Sequence, residues 1–364
     1  MSFESNAYFD VRSRRLNTQP VPQPIAGKVH VLTGVNGSGK TRYLSKLADH
    51  VIDELKAGET KFSHVLCLSG PVVDKFSQRV YRQTLDYEHF TYLGYRRNNN
   101  MFSETAPFRE LFRVILQGNP DWQSLELAAS CLKELHLDAV VGLLLPGERR
   151  GSESGYTLDF ENWVRPRIPA SRSTARAQFI FHRDGRQLFL QELSAGERSF
   201  LLLMLAFCFC LRPQCLVLID EPETSLHPEW QLAIMRKLFA IVAGLRVPIT
   251  VVVTTHSPLV VASIPNDTSL ICEFPAGDQW TRKTLFGQTS DTVLSKQFGL
   301  NSPRSLEAIV AIQRCISLIS EGRGSSSEFK AAVAHLETLH LVLSKSDALF
   351  KPLETIRKFA RGLA

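Results

Sequence analysis

The chain has 364 residues, 44% hydrophobic and 21% charged, and carries a formal net charge of +6 at pH 7. That composition belongs to an ordinary globular protein with length for about two structural units. No apolar run approaches the ~20 residues of a membrane span, and "MSFESNAYFDVRSRR" lacks the apolar core of a signal peptide. A cytoplasmic protein without a membrane partner is expected.

Val29 to Thr33, "VHVLT", reads as a short buried strand, and "RYLSKLADHVIDELKAG" carries apolar residues at helical spacing up to Gly58. Between them "GVNGSGKT" matches GxxxxGK[ST] in the strand, loop, helix context that a phosphate loop requires. The expected nucleotide contacts are Gly34, Asn36, Gly37, Ser38, Gly39, Lys40 and Thr41. Backbone N–H groups from Gly37 to Lys40 would wrap a β-phosphate at the positive end of the helix. Lys40 would reach the β- and γ-oxygens, and the Thr41 hydroxyl would ligate Mg²⁺. An accidental glycine-rich turn is the alternative.

Farther on, "FRELFRVILQ" and "WQSLELAASCLKELHL" are short helical patterns without sustained heptads, so a compact helical lobe is expected within residues 98–173. From Arg149 to Arg186 the chain carries eight arginines, readable as a phosphate-tracking surface or as a solvated loop and strand edge. "QFIFHRDGRQLFLQEL" predicts a hairpin with Asp184-Gly185 as its turn.

In "LSAGERSFLLLMLAF", Ser194 can cap a helix starting at Ala195. Glu197 stands in capping-box register, and Gly196 permits a close backbone approach. The apolar strand Leu216 to Ile219 ends in Asp220 and Glu221, which puts two carboxylates where open α/β sheets bind ligands. Asp220 would hold Mg²⁺ through water, and Glu221 would orient or deprotonate an attacking water. Cys208, Cys210 and Cys215 sit in apolar wording without a zinc-like histidine or second cysteine pair, so they read as core residues. "VVVTTHSP" ends a strand at His256, "SLICEF" reads as an edge strand, and the two helix-patterned stretches of the tail are separated by "GRGSSS". The apolar stripes of the tail could pack on the preceding domain or dock a partner.

In this order, phosphate loop, LSxGE, apolar-DEP and strand-TTH, the sequence resembles the ABC-type ATPases over Tyr8 to about Phe274. "DEPETSLHP" with "THSP" is similar to their soluble branch, which includes RecF-like and SMC-like heads, the overcoming-lysogenization-defect proteins and ATPases of anti-phage systems such as Septu. The resemblance implies an α/β fold: a P-loop ABC-ATPase head with a mixed sheet, an inserted compact helical lobe and a C-terminal helical region. Its halves would be residues 1–97 and 174–286 around the lobe at 98–173, followed by the helical region 287–364. The resemblance further implies that ATP is sandwiched between two copies. Ser194, Gly196 and Glu197 would be supplied in trans, and His256 would act as the switch histidine.

The family's glutamine after the second strand is not legible. Gln78 and Gln83 are candidates, and "FTYLGYRR" is another occupant of that place. Residues 257–364 carry no HNH-like histidine cluster, topoisomerase-primase DxD pair or nuclease triad. The expected protein is a homo-oligomeric, Mg²⁺-dependent ATPase that gates a separate effector, a nuclease, in phage defence. A DNA-repair ATPase binding nucleic acid directly and a non-hydrolysing nucleotide-sensing scaffold are the alternatives.

Overall fold

The computed structural model describes residues 23–34, 36–73, 75–77, 79–80, 88–98, 101–148, 156–168, 176–244, 248–264, 269–274, 279–282, 292–293, 306–343, 347 and 349–362. The candidate glutamines Gln78 and Gln83, and Arg149, Arg150 and Arg172, lie outside them. Two compact units divide the chain, residues 1–293 and 294–364.

The first unit is built on a six-stranded, wholly parallel sheet in the order β10-β1-β9-β8-β2-β3. Its strands are β1 (Val29–Thr33), β2 (His64–Ser69), β3 (Phe90–Leu93), β8 (Cys215–Asp220), β9 (Thr250–Thr255) and β10 (Ser269–Glu273). The first five are buried along their whole length, as parallel strands covered on both faces must be, which explains their unbroken apolar wording. "SLICEF" supplies the outer strand β10, as expected.

Helix α1 (Lys40–Ala57) follows the glycine loop and ends at Gly58, whose left-handed backbone returns hydrogen bonds to the Glu54 and Leu55 carbonyls. Its buried face sets Leu44, Leu47, Val51 and Ile52 into one core with Leu32, Val65, Leu216, Leu218 and Val252 of the sheet. Each such side chain contributes about 1.5–3 kcal/mol relative to an exposed one.

The sheet expected to be mixed is two sheets. The antiparallel strands form a separate four-stranded layer in the order β5-β4-β6-β7, comprising β4 (Val140–Leu144), β5 (Tyr156–Asp159), β6 (Gln178–Arg183) and β7 (Arg186–Phe189). The physical division follows the connections, since a tight turn can join antiparallel strands and a parallel pair needs a crossover. Asp184 and Gly185, at φ 51° and 73°, make the β6–β7 turn with the two positive φ values of a primed hairpin.

The stretch expected as a helical lobe is accordingly half helix and half strand. Helices α2 (Ala106–Gln117) and α3 (Trp122–Glu134) are followed by β4 and β5, which pair with each other while β4 also pairs with β6. Phe112 of α2 stacks on Phe179 of β6 with ring centroids 4.3 Å apart, tying helix to sheet. Helix α4 (Ala195–Phe209) is buried continuously from Ser199 to Phe209, which accounts for a sequence apolar all round rather than on one stripe. A 3-10 turn (Leu190–Glu192) precedes α4, and helices α5 (Pro228–Gly244) and α6 (Pro258–Ala262) follow it in this unit. All seven cysteines are buried and free, in agreement with the reading of Cys208, Cys210 and Cys215 as core residues.

The second unit contains α7 (Leu306–Ser320), α8 (Ser327–Thr338) and α9 (Phe350–Ala360). Their apolar stripes face one another: Ile312, Cys315, Leu318, Phe329, Leu336, Leu353 and Ile356 form one core. No helix among the described residues is long and apolar enough to cross a membrane.

Phe329 is 1% exposed at the centre of that second core. Phe329→Ala is expected to cost about 3–5 kcal/mol through the cavity it leaves. Amide hydrogen exchange should then show lost protection in α7, α8 and α9.

Candidate functional site

The strand registers bring the sequence-selected residues together. Ser69, Asp220 and Thr254 stand opposite one another across β2, β8 and β9, and Thr33 pairs with Thr255 across β1 and β9. The glycine loop leaves β1 at this same C-terminal edge, where open parallel sheets bind ligands. Within it Gly34, Gly37 and Gly39 have φ of 154°, 81° and 104°, backbone that residues with a Cβ rarely adopt. Asn36 is exposed at the turn, and Val35 lies outside the described residues.

Lys40 is only 4% exposed. Its Nζ donates to the Gly34 carbonyl at 2.9 Å, closing the loop on itself, and stands 4.0 Å from Glu221 Oε1. Burial lowers its pKa, and the carboxylates of Glu221, Asp220 and Glu223 oppose that shift. Ser38 Oγ is buried inside the same loop without a hydrogen-bond partner. An orphaned polar atom beside a glycine loop and a recessed ammonium is a fit for phosphate oxygens.

Thr41 Oγ1 donates to Asp220 at 2.9 Å from either carboxylate oxygen, and Thr254 Oγ1 donates to Asp220 Oδ1 at 2.6 Å. Asp220 is 1% exposed, so these hydroxyls stand in for the water its carboxylate has lost. A hydroxyl and a carboxylate facing each other at this distance are hard oxygen donors suited to Mg²⁺, which takes one or two protein ligands and keeps waters.

Glu221 lies one residue beyond the sheet edge at φ 45°, a left-handed backbone uncommon for a non-glycine residue. That conformation turns its side chain toward His256, whose Nδ1 is 3.4 Å from Glu221 Oε1 and 3.3 Å from Glu223 Oε1. The His256 ring beside it, ahead of the charge of Lys40, holds the Glu221 carboxyl below its ordinary range against the effect of burial. The Glu221 carboxylate in turn raises His256 above the usual imidazole value, against the opposing effect of burial. A cavity of about 570 Å³ opens here, bordered by Glu221, Glu223, Gln231 and His256.

Glu223 is the residue that sequence reasoning missed. It is 3% exposed, and its Oε1 accepts from Thr255 Oγ1 at 2.7 Å and from the His256 backbone N–H at 3.0 Å. Burial pushes its carboxyl up. The loop after β8 thus holds both the backbone and the ring of His256. Ser257 Oγ adds a 2.8 Å bond to Gln231 Oε1 on α5. The available signal was "ET" directly after "DEP": a second acid on a loop whose partner strand ends in two threonines.

Ser194 and Glu197 form the predicted capping box: Ser194 Oγ accepts from Glu197 N at 3.2 Å, and Glu197 Oε2 accepts from Ser194 N at 2.7 Å. Glu197 Oε1 also pairs with Arg183 at the end of β6, another link the sequence did not disclose. Gly196 makes its close approach within this chain. A Cβ there would lie 3.0 Å from the Ser225 carbonyl and 3.3 Å from Trp230 Cζ3.

Residues 84–262 match the family model described as "AAA domain, putative AbiEii toxin, Type IV TA system". The matched segment includes Ser194, Asp220, Glu221 and His256 and excludes the glycine loop. Among solved structures, an SMC head bound to the C-terminal winged-helix domain of ScpA is similar at 11% identity over 72% of this chain and 92% of that one, TM-score 0.37. A putative metal-chelate type ABC transporter is similar at 15% identity over 76% and 79%, TM-score 0.31. RNase-L Inhibitor is similar at 15% identity over 72% of this chain, which spans 39% of that protein, TM-score 0.29. The chain has the α/β fold of a P-loop ATPase, and the glycine loop, Asp220, Glu221 and His256 gather at one edge of its parallel sheet, whereas Ser194 to Glu197 lie apart from them at the start of α4.

Two measurements check the His256 environment. By NMR the His256 ring should titrate above an ordinary histidine, and Glu221→Gln should move the midpoint down by removing the carboxylate that favours the charged ring. Glu223→Ala should cost about 1–3 kcal/mol in denaturant unfolding, because it leaves the Thr255 hydroxyl and the His256 N–H unpartnered. Glu223→Gln, which retains a carbonyl acceptor, should recover most of that loss.

Proposed function

We propose that the protein binds ATP with Mg²⁺ and hydrolyses it, acting as an ABC-type switch that associates with a second copy and controls a separate effector. The observation that carries this reading is the meeting of Lys40, Thr41, Asp220, Glu221 and His256 at the C-terminal edge of one parallel sheet.

In this reading the amides of Gly37 to Lys40 and the N-terminus of α1 hold the β-phosphate, and the Lys40 ammonium leaves Gly34 O for the phosphate oxygens. Thr41 and Asp220 would hold Mg²⁺, which would supply positive charge for the β- and γ-oxygens. Glu221 accepts a hydrogen bond from the attacking water and aligns it with the γ-phosphorus. Its carboxyl is held low by His256 and Lys40, which makes it a weak base and favours orientation over early proton removal. His256 is placed to donate toward the γ-phosphate, and Glu223 keeps its backbone and ring in position. Closure of a second copy, presenting Ser194 and the N-terminus of α4, would complete the anion site only while the γ-phosphate is present.

That geometry supports a protein whose assembly state reports ATP. In this reading the switch controls a nuclease effector in anti-phage defence, in the cytoplasm. The matched family model, described as a putative toxin of a type IV TA system, is compatible with it. A purely nucleotide-sensing scaffold would keep the binding and release phosphate only stoichiometrically.

Lys40→Ala should remove ATP binding in calorimetry, since it deletes the point charge on the phosphates. Glu221→Gln should keep binding and lower phosphate release by about 10²-fold or more. In light scattering that variant should hold an ATP-stabilised dimer; unchanged turnover would move the water-orienting role elsewhere. Ser194→Arg tests the shared site better than a change at Gly196, which packs on this chain's own Ser225 and Trp230. It should bind ATP normally, fail to hydrolyse it, and recover partial activity when mixed with Lys40→Ala. Wild-type turnover by Ser194→Arg alone would refute sharing.

A further inference from the structure

We propose that Arg97, Arg109 and Arg176 form a binding site for the phosphodiester backbone of a nucleic acid. The inference does not rest on the nucleotide site and stands or falls apart from it.

Three separate segments deliver these residues to one place. Arg97 lies in the turn after β3, where its N–H donates to the Met101 carbonyl next to the Arg96–Phe102 bridge. The chain then enters α2 through Ser103 and Ala106, whose amides are bonded back to Tyr95 and Ser103, so Arg109 on the first turns of α2 is held beside that turn. Arg109 is three residues before Phe112, and Arg176 is three residues before Phe179. The stacked Phe112–Phe179 pair holds together the two segments that carry these arginines. The charges of Arg97 and Arg176 reach Arg109 and, after burial, lower its pKa.

No carboxylate lies within 4.0 Å of any of the three guanidinium groups among the described residues. The two acids nearest Arg109 in sequence are committed elsewhere: Glu110 is clamped by both Nε and NH2 of Arg113, and Glu104 pairs with Arg198 at 3.4 Å. Arg79, Arg183 and Arg314, by contrast, all meet carboxylates. Arg109 Nε is buried with no hydrogen-bond partner, while Arg97 and Arg176 are exposed. Like charges gathered around a half-buried, unsatisfied guanidinium oppose folding unless an anion joins them.

Phosphate suits these groups best, because the guanidinium fork matches its oxygens bidentately. A strand of nucleic acid offers such oxygens in series to donors carried on three segments. Arginine contacts to the backbone alone predict binding that is insensitive to base sequence and sensitive to salt.

Fluorescence anisotropy on the full chain without nucleotide tests this with labelled single-stranded DNA, duplex DNA and single-stranded RNA. The wild type should bind at least one of them at low salt. Arg97→Glu with Arg176→Glu should weaken that binding about tenfold or more and flatten the salt slope by about 2 on duplex, somewhat less on single strands. Arg236→Glu with Arg361→Glu, two exposed arginines, makes an equal change in net charge and should leave affinity within about twofold. If the reversal lowers the melting temperature, Arg97→Gln with Arg176→Gln replaces it with the same reading. The three probes identify the nucleic acid. Absence of wild-type binding to all three, an equal loss in the control pair, or equally tight binding of polyglutamate would overturn the proposal.

Discussion

The Asp220 carboxylate is the joint on which the site turns. It is buried at the end of a parallel strand and receives hydroxyls from Thr41 on α1 and Thr254 on β9. A charge in that position needs both donors, so the helix after the glycine loop and the strand before His256 are fixed relative to β8 by one side chain. The parallel pairing does the rest. A one-residue slip between β8 and β9 would turn Thr254 to the other face and remove one of the two hydroxyls that Asp220 accepts from.

Around that joint the charges are arranged in opposition. Lys40 faces Glu221, and His256 stands between Glu221 and Glu223. Burial works against every one of these ions, and each partner works against burial. The recessed ammonium of Lys40 has already lost most of its water to the Gly34 carbonyl, so exchanging that carbonyl for phosphate oxygens adds little dehydration. The left-handed backbone of Glu221 lies at the same place, held by the hydrogen bond from its N–H to the Thr254 carbonyl.

Much of this was legible in the sequence because it is local. The strand, glycine loop and helix from Val29 to Gly58, the Asp184-Gly185 turn and the Ser194–Glu197 capping box each depend on residues a few positions apart, and each was found where expected. What escaped was set by distant pairing. Nothing near Glu223 announces that Thr255 and the His256 amide will lie against it, and nothing near Arg183 announces Glu197. The strands β4 and β5 were hidden for the same reason: they are short, and what stabilises them is a hairpin farther along the chain. The separation into two sheets likewise follows from connections whose lengths, rather than whose composition, decide parallel or antiparallel partnership.

The ion pair between Arg183 and Glu197 has a mechanical side. Glu197 is both the end-stop of α4 and the socket for an arginine at the tip of β6, so the antiparallel layer and the entry to that helix share one rigid coupling. That contact bypasses strand β7 and the turn that follow Arg183 in the chain, joining the tip of the hairpin directly to the first turn of α4. Whatever grips the antiparallel layer therefore holds a handle on the residues that open α4.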